Sequence, residues 1–259
     1  MSRTRLRWAS AWGVGSFAIL TLSLAACGIT DDAGPEGNGG AEYSARPRTT
    51  AAPTSQAPSD WTEPSRWAAL PRNERVDTRG NQVGFPQSTE GAVAMLAAAS
   101  NTTVEAGRTA VDVQLGIYES YMAQSDHSDV NAERIELQAI QTDKKIRTDM
   151  GLPAGSALPD GAYVRSHVIG FQVVKESGSE VSAWLLSRAT TKPGETAKER
   201  GTYTRSLVAA IWEDNDWKLS SAATQRAYQQ AGSNEKPPIV APGDESFNRG
   251  GWTAIREAS

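Results

Sequence analysis

The chain offers few side chains capable of acid–base or nucleophilic chemistry. It has two histidines, His127 and His167, and a single cysteine, Cys27, among 259 residues. A hydrolytic triad or a zinc site of the usual kind needs several such groups together, and a lone cysteine excludes an internal disulfide. His127 lies in the polar run Ser125 to Asp129, which favours a helix cap over a metal ligand. The composition therefore predicts no enzymatic activity, no metal site and no cofactor.

His167 belongs to the one group of polar residues whose spacing suggests a binding site. Strict alternation along a predicted strand places Tyr163, Arg165 and His167 on the same face. If that face is concave, the three side chains line the mouth of a small-ligand pocket. If it is the solvated outer face, they have no such role, and their polar, flexible character favours this second interpretation.

The N-terminus has the layout of an export signal over residues 1–26. Three arginines precede an apolar stretch from Ala9 to Leu24, which is shorter than the roughly 18 to 20 residues that a spanning helix needs. The run Leu24-Ala25-Ala26-Cys27 resembles the lipobox of bacterial lipoproteins. That resemblance implies that Cys27 carries a diacylglyceryl group, becomes the first mature residue and anchors the chain stably at the extracytoplasmic face of the cell membrane.

The net charge of the chain indicates which kinds of partner it can bind. The chain has 26 basic and 30 acidic residues, and removal of Arg3, Arg5 and Arg7 with the signal leaves 23 basic residues and a net charge of −7. No run of lysine and arginine stands out, whereas phosphate-backbone binding needs a concentrated basic face. Nucleic acid is therefore excluded as the main partner.

The segments that flank the predicted domain differ from it in amino-acid composition. Residues 27–60, rich in Gly, Pro, Ser and Thr, predict a disordered tether that spans roughly 30 Å on average. Residues 61–86 predict an extended arm, in which Trp61 and Trp67 either pack against the domain, the favoured interpretation, or form an exposed partner-binding epitope. Residues 229–259 predict an irregular tail that packs on the domain or binds a neighbour.

The predicted domain covers residues 87–228. A helix is expected from about 88 to 100, a second is indicated by apolar spacing from Val111 to Met122, and a third begins near Asn131 and ends at Gly151. Four strands follow, at 163–174, 181–191, 202–212 and 217–221. This order predicts an α+β fold in which three N-terminal helices pack on a curved, mainly antiparallel four-stranded sheet of cone-like shape.

The last two strands contain the sharpest local motif. A two-residue turn at Asp214-Asn215 places Trp212 and Trp217 opposite each other as a non-hydrogen-bonded cross-strand pair. Such a pair contributes about 0.5 to 1 kcal/mol and fixes the register of the hairpin.

This hairpin, after helices and long strands, resembles the nuclear-transport-factor-2-like superfamily over roughly residues 88 to 222. The lipid-anchored context and the segment from Val83 to Ala92 resemble actinobacterial exported proteins, which in turn look like extracytoplasmic domains of conjugation and type IV secretion components. The resemblance implies a setting in the cell envelope.

Two functional hypotheses follow from the sequence. The first is a lipid-tethered, non-enzymatic interaction module on the outer face of the cytoplasmic membrane, with a protein partner in the envelope, accessory to a secretion or conjugation apparatus. The second is a small-ligand binder or cryptic enzyme that uses a cavity near His167. A transporter's substrate-binding protein is disfavoured, because it needs repeated βα units in two lobes.

Overall fold

The computed structural model describes residues 61–232 and 236–256. The predicted signal peptide, Cys27 and the predicted tether lie outside the described residues. No helix among the described residues is long and apolar enough to cross a membrane.

The fold is α+β and centres on one mixed seven-stranded sheet. Its strands are β1 Trp67–Ala69, β4 Thr102–Glu105, β5 Tyr163–Glu176, β6 Glu180–Lys192, β7 Arg200–Glu213, β8 Asp216–Leu219 and β9 Thr253–Arg256. Two further strands, β2 Arg75–Val76 and β3 Gln82–Val83, form a separate small sheet. The helices are α1 Thr89–Ser100, α2 Ala110–Tyr121, α3 Asp129–Asp149, α4 Ser221–Ala231 and α5 Glu245–Arg249, with a 3-10 turn at Gln124–Asp126.

The predicted layout of three N-terminal helices on a four-stranded sheet is wrong. Three short strands from outside the predicted β block, β1, β4 and β9, extend the sheet beyond β5, and β1 runs parallel to β9. Helices α4 and α5 follow the long strands instead of preceding them, and the tail expected to be irregular supplies both α5 and β9. Strands of three or four residues carry too little alternation to be recognised from a single sequence, unless a turn motif marks them as the Asp214-Asn215 turn marks β8.

Helix α1 lies at the centre of one face of the sheet, called here the inner face. Ser88 caps it by accepting a hydrogen bond from the N–H of Gly91. Its alanines let it approach closely, and it packs with Phe171, Leu185 and Trp217 in the main core. Helices α2 and α3 enclose a smaller cluster on the same face around Val104, Ile146 and Val164.

The opposite, outer face is also covered over part of its area. Trp184, Leu186 and Leu207 pack there against Ala227 of α4 and against Phe247 and Trp252 of the C-terminal segment. Because β6 lies between two apolar layers, it is buried almost continuously from Val181 to Ser187. The four-stranded prediction assigned helices to one face only and therefore missed this outer layer.

The predicted tryptophan hairpin is confirmed. Asp214 and Asn215 have φ angles of 51° and 60°, and Trp212 stands opposite Trp217 with ring centroids 5.3 Å apart. The N–H of Trp212 donates to Ser179 on the β6 side, at 2.9 Å, so the tryptophan pair is of the non-hydrogen-bonded type.

Candidate functional site

Tyr163, Arg165 and His167 lie together on the outer face of β5, as their alternation predicts. Their direct partners on β6 are Lys192, Thr190 and Arg188, and Tyr203 on β7 stands opposite Arg188. Residues directly opposite each other share a face of the sheet. We call the resulting surface the cationic patch and define it by six residues: Tyr163, Arg165, His167, Arg188, Lys192 and Tyr203.

The patch is the part of the outer face that the C-terminal layer leaves open. Leu186 has an exposed fraction of 0%, whereas Arg188, the next residue of β6 on the same face, is exposed. On β5 the change is equally abrupt, because Gly170 is buried beside the ring of Phe247 and His167 is exposed. The cover therefore ends between adjacent rows of the sheet, and Tyr203 packs at its border.

Tyr163 and Arg165 form a linked pair at one end of the patch. The guanidinium carbon of Arg165 lies 3.9 Å from the centroid of the Tyr163 ring, and its Nη2 is 3.5 Å from Oε2 of Glu105. The phenol of Tyr163 donates a hydrogen bond to the Glu199 carboxylate, and this bond raises the pKa of Tyr163. Tyr163 therefore acts as a hydrogen-bond donor and not as a base at neutral pH.

His167 and Arg188 form the middle of the patch. They are direct cross-strand partners, and neither side chain makes a hydrogen bond or ion pair with another residue in the described parts of the chain. A Cβ atom on Gly201 would lie 3.3 Å from Nε of Arg188, so the guanidinium extends over the bare backbone of β7 at that glycine. The N–H donors of the Arg188 guanidinium are therefore available to a bound molecule.

The chemistry available here is the recognition of negatively charged oxygen. The Arg188 guanidinium, the Lys192 ammonium group and the Tyr203 phenol offer donors over neighbouring strands, beside the remaining donors of Arg165, and arginine forks match carboxylate and phosphate geometry. His167 is exposed and has no carboxylate to orient it among the described residues, unlike the histidine of a catalytic pair. The arrangement fits binding better than proton transfer.

The sequence reasoning missed Arg188, Lys192 and Tyr203. Two β-bulges in β5, one between Val168 and Gly170 and one between Val173 and Lys175, shift the pairing with β6. Each bulge moves the register by one residue, so a register extended from the turn would not bring His167 opposite Arg188. Alternation along β6 was the only available signal. It shows that Arg188 and Lys192 share a face of β6, but not which residues of β5 they stand beside.

Trp61 and Trp67, the other predicted candidates, lie elsewhere, on the segment that borders β9. Both indole N–H groups donate to the carboxylate of Glu63, each at 3.1 Å, and the two residues are 41% and 36% exposed. The Trp61 ring covers Gly243, because a Cβ atom added to that glycine would lie 2.2 Å from Cε3 of the ring. The Arg256 guanidinium carbon lies 4.8 Å from the centroid of the Trp67 ring. Packing therefore holds both tryptophans, and each still presents part of its ring to solvent.

His127 stacks against Tyr118, with ring centroids 4.6 Å apart, and Ser128 beside it caps α3. Within residues 61–232 and 236–256, no three histidine, cysteine or carboxylate side chains come close enough to hold a metal ion.

The comparisons with known proteins add no relative from which a role could be transferred. No family model matches the chain, and no curated protein or solved structure is significantly similar to it.

Proposed function

We propose that the chain is a membrane-anchored lipoprotein whose folded part is a non-enzymatic interaction module on the outer face of the cytoplasmic membrane. We propose further that the cationic patch is its contact surface for an anionic partner. The observation that carries this proposal is the abrupt end of the C-terminal layer between Leu186 and Arg188. A sheet face that is covered up to that row, and that then carries Arg188 and Lys192 with no ion pair among the described residues, is suited to contact with another molecule.

The charge of the chain supports the same proposal. The mature chain expected from the signal prediction has a net charge of −7, yet the patch contains Arg165, Arg188 and Lys192. Glu105 forms an ion pair with Arg165, and Glu199 accepts a hydrogen bond from Tyr163, so the three cations outnumber these two carboxylates by one. A local excess of cations on an acidic protein favours one surface for an anionic partner and steers its approach.

The binding of a small anionic ligand is the second candidate function. The row formed by His167, Arg188 and Tyr203 favours it, because the three donors stand directly opposite one another on adjacent strands. This ligand would use the same surface, so the two candidates differ in the size of the partner.

The envelope setting is proposed from the sequence alone. The lipobox-like motif at Cys27 supports the anchor, and the resemblance to conjugation and type IV secretion components supports a transfer apparatus as the neighbourhood. The half-exposed Trp61 and Trp67 are the proposed contact for a protein partner in that apparatus.

The anchor is tested by the intact mass of the protein from the membrane fraction, for the wild type beside Cys27→Ala. We expect a diacylglyceryl-sized addition on a chain that begins at Cys27, and its loss in the variant. An uncleaved or unmodified wild-type chain would contradict the lipoprotein assignment.

The contact surface is tested in cells by a photo-crosslinking amino acid at Thr190, within the patch, or at Gln141 on α3. Both positions are accessible, and α3 lies on the inner side of the sheet. We expect adducts, to lipid or to protein, from position 190 and not from position 141. Equal adducts at both positions, or none at position 190, would rule out the patch as the contact surface.

A further inference from the structure

We infer that the cationic patch docks on the anionic headgroups of the membrane to which the chain is anchored. This inference rests on the proposed function, because it names the anionic partner of the same surface. The positions of the patch and of the start of the described chain lead to it.

The described chain begins on the patch side of the sheet. The ring of Trp61 lies on Gly243, and the N–H of Thr62 donates to the carbonyl of Gly243 at 2.7 Å. Gly243 belongs to the C-terminal segment that covers the outer face through Phe247 and Trp252. Trp61, the described residue nearest to Cys27 in the sequence, therefore lies on the outer layer, on the side of the sheet that carries the patch.

The connection is long enough to let this face turn to the bilayer. From Cys27 to Trp61 the sequence runs for 34 residues, and the flexible tether that its composition predicts would span roughly 30 Å on average, at about 5 to 6 Å times the square root of length. An anchor at that distance keeps the domain near the surface, where a weak electrostatic contact becomes effective because the local lipid concentration is high.

The patch is built as a surface for several headgroups. Adjacent strands lie about 4.8 Å apart and residues rise about 3.4 Å along a strand, so its side chains spread over an area about 10 Å by 13 Å. Each lysine or arginine near an anionic bilayer strengthens binding by about fivefold. Tyr163 and Tyr203 add aromatic rings with polar tips, which suit the headgroup region.

The experiment uses the full lipidated chain, reconstituted into vesicles of phosphatidylcholine alone or with one third phosphatidylglycerol. A fluorophore is attached at Thr196→Cys, an exposed position in the loop that joins β6 and β7 beside the patch. A second preparation carries it at Gln141→Cys on α3. Quenching by headgroup-labelled lipid reports the fraction of domains that lie on the bilayer.

We expect quenching at position 196 only in the anionic vesicles, and weakening of it by salt. Arg188→Glu should lower the ratio of docked to free domains roughly twentyfold, since it removes one cation and adds one repulsion. Lys144→Glu is the matched control, because Lys144 is also exposed and lies on α3, and it should leave the ratio unchanged.

Three results would overturn the inference. They are equal quenching in both kinds of vesicle, no quenching at position 196 in either, and quenching in the anionic vesicles that Arg188→Glu leaves unchanged. If the chain is lipidated and its patch forms adducts with protein but no quenching is seen, only the membrane docking is contradicted. If Cys27 carries no lipid, the proposed function itself is contradicted.

Discussion

The carboxylate of Asp216 accepts a hydrogen bond from the backbone N–H of Gly84, at 3.1 Å, across a sequence separation of 132 residues. The same carboxylate accepts from the N–H of Phe85 at 3.2 Å and lies 3.5 Å from Nζ of Lys218. Asp216 is buried, and Gly84 has a left-handed φ of 77°. One residue of the tryptophan hairpin thus fastens the segment that leads into α1.

Replacing Asp216 by asparagine is expected to destabilise the fold by about 2 kcal/mol. Each oxygen of the Asp216 carboxylate accepts one of these two buried N–H groups, whereas an amide has one accepting oxygen and leaves the other N–H group without a partner. Chemical denaturation measures the loss. Asp214→Asn is the matched control, since it removes the same charge from an exposed position of the same hairpin, and it should change stability by less than about 0.5 kcal/mol. Equal effects of the two substitutions would mean that net charge, and not the fastening of Gly84, is responsible.

A pair of helical glycines should respond to alanine with opposite signs. A Cβ atom on Gly91 would lie 1.9 Å from the carbonyl oxygen of Pro86, which accepts the indole N–H of Trp217 at 2.9 Å. Gly91→Ala must displace that carbonyl, so we expect a loss of about 1 to 3 kcal/mol and a changed tryptophan emission spectrum. Thermal unfolding with fluorescence detection measures both.

Gly116→Ala provides the comparison, because the nearest atom to its Cβ position is Nδ2 of Asn81 at an ordinary 3.5 Å. Alanine there should stabilise α2 by about 0.5 to 1 kcal/mol, through the smaller backbone freedom of the unfolded chain. A stabilising Gly91→Ala would contradict the close approach of Pro86 to α1.

The sequence predicted the local features whose signals are local. The start of the first helix near residue 88 and the tight turn at Asp214-Asn215 depend on residues a few positions apart, and both are observed. The position of β9 depends on β1 and β5, which lie far away in the chain, and its four residues have no pattern of their own. The same limit applies to the candidate site, where alternation placed His167 on one face with Tyr163 and Arg165 but left open which face of the sheet it is, and the pairing of His167 with Arg188 depends on two bulges.

Asp77 should make the stability of the fold depend on acid pH. Burial by itself raises the pKa of Asp77, but hydrogen bonds from the Ser120 hydroxyl and from the N–H groups of Asn81 and Arg79 outweigh it, so the pKa is lowered. The folded protein therefore holds this proton less tightly than the unfolded chain. The stabilisation is present above the unfolded pKa, near 4, and is lost as pH falls through the folded value.

Asp77→Asn should consequently cost about 1 kcal/mol at neutral pH, and the difference from wild type should shrink below about pH 4. Denaturant unfolding over a pH series measures it, and Asp160→Asn, at an exposed turn position, is the control. If the stability difference between Asp77→Asn and wild type stayed constant through acid pH, the charge of the Asp77 carboxylate would not contribute to the stability of the fold.

Tyr121 and Tyr163 should both ionise above the ordinary tyrosine pKa, for different reasons. Burial, reinforced by the nearby charges of Asp77 and Asp216, raises the pKa of Tyr121 to about 12. The pKa of Tyr163 is raised by its hydrogen bond to Glu199 at an exposed position. Since both folded pKa values are raised, the neutral phenols favour the folded state fully below about pH 10, and this contribution is lost as pH rises through the folded values.

An ultraviolet titration of tyrosinate separates the two residues. Tyr121→Phe should remove a transition near pH 12, whereas Glu199→Gln should move the Tyr163 transition toward the ordinary range and leave the Tyr121 transition in place. Added salt should not mimic this substitution, because salt screens the charge of the exposed Glu199 but does not remove its direct hydrogen bond to Tyr163. A Tyr163 transition that ignores Glu199→Gln would contradict the hydrogen bond between the two side chains.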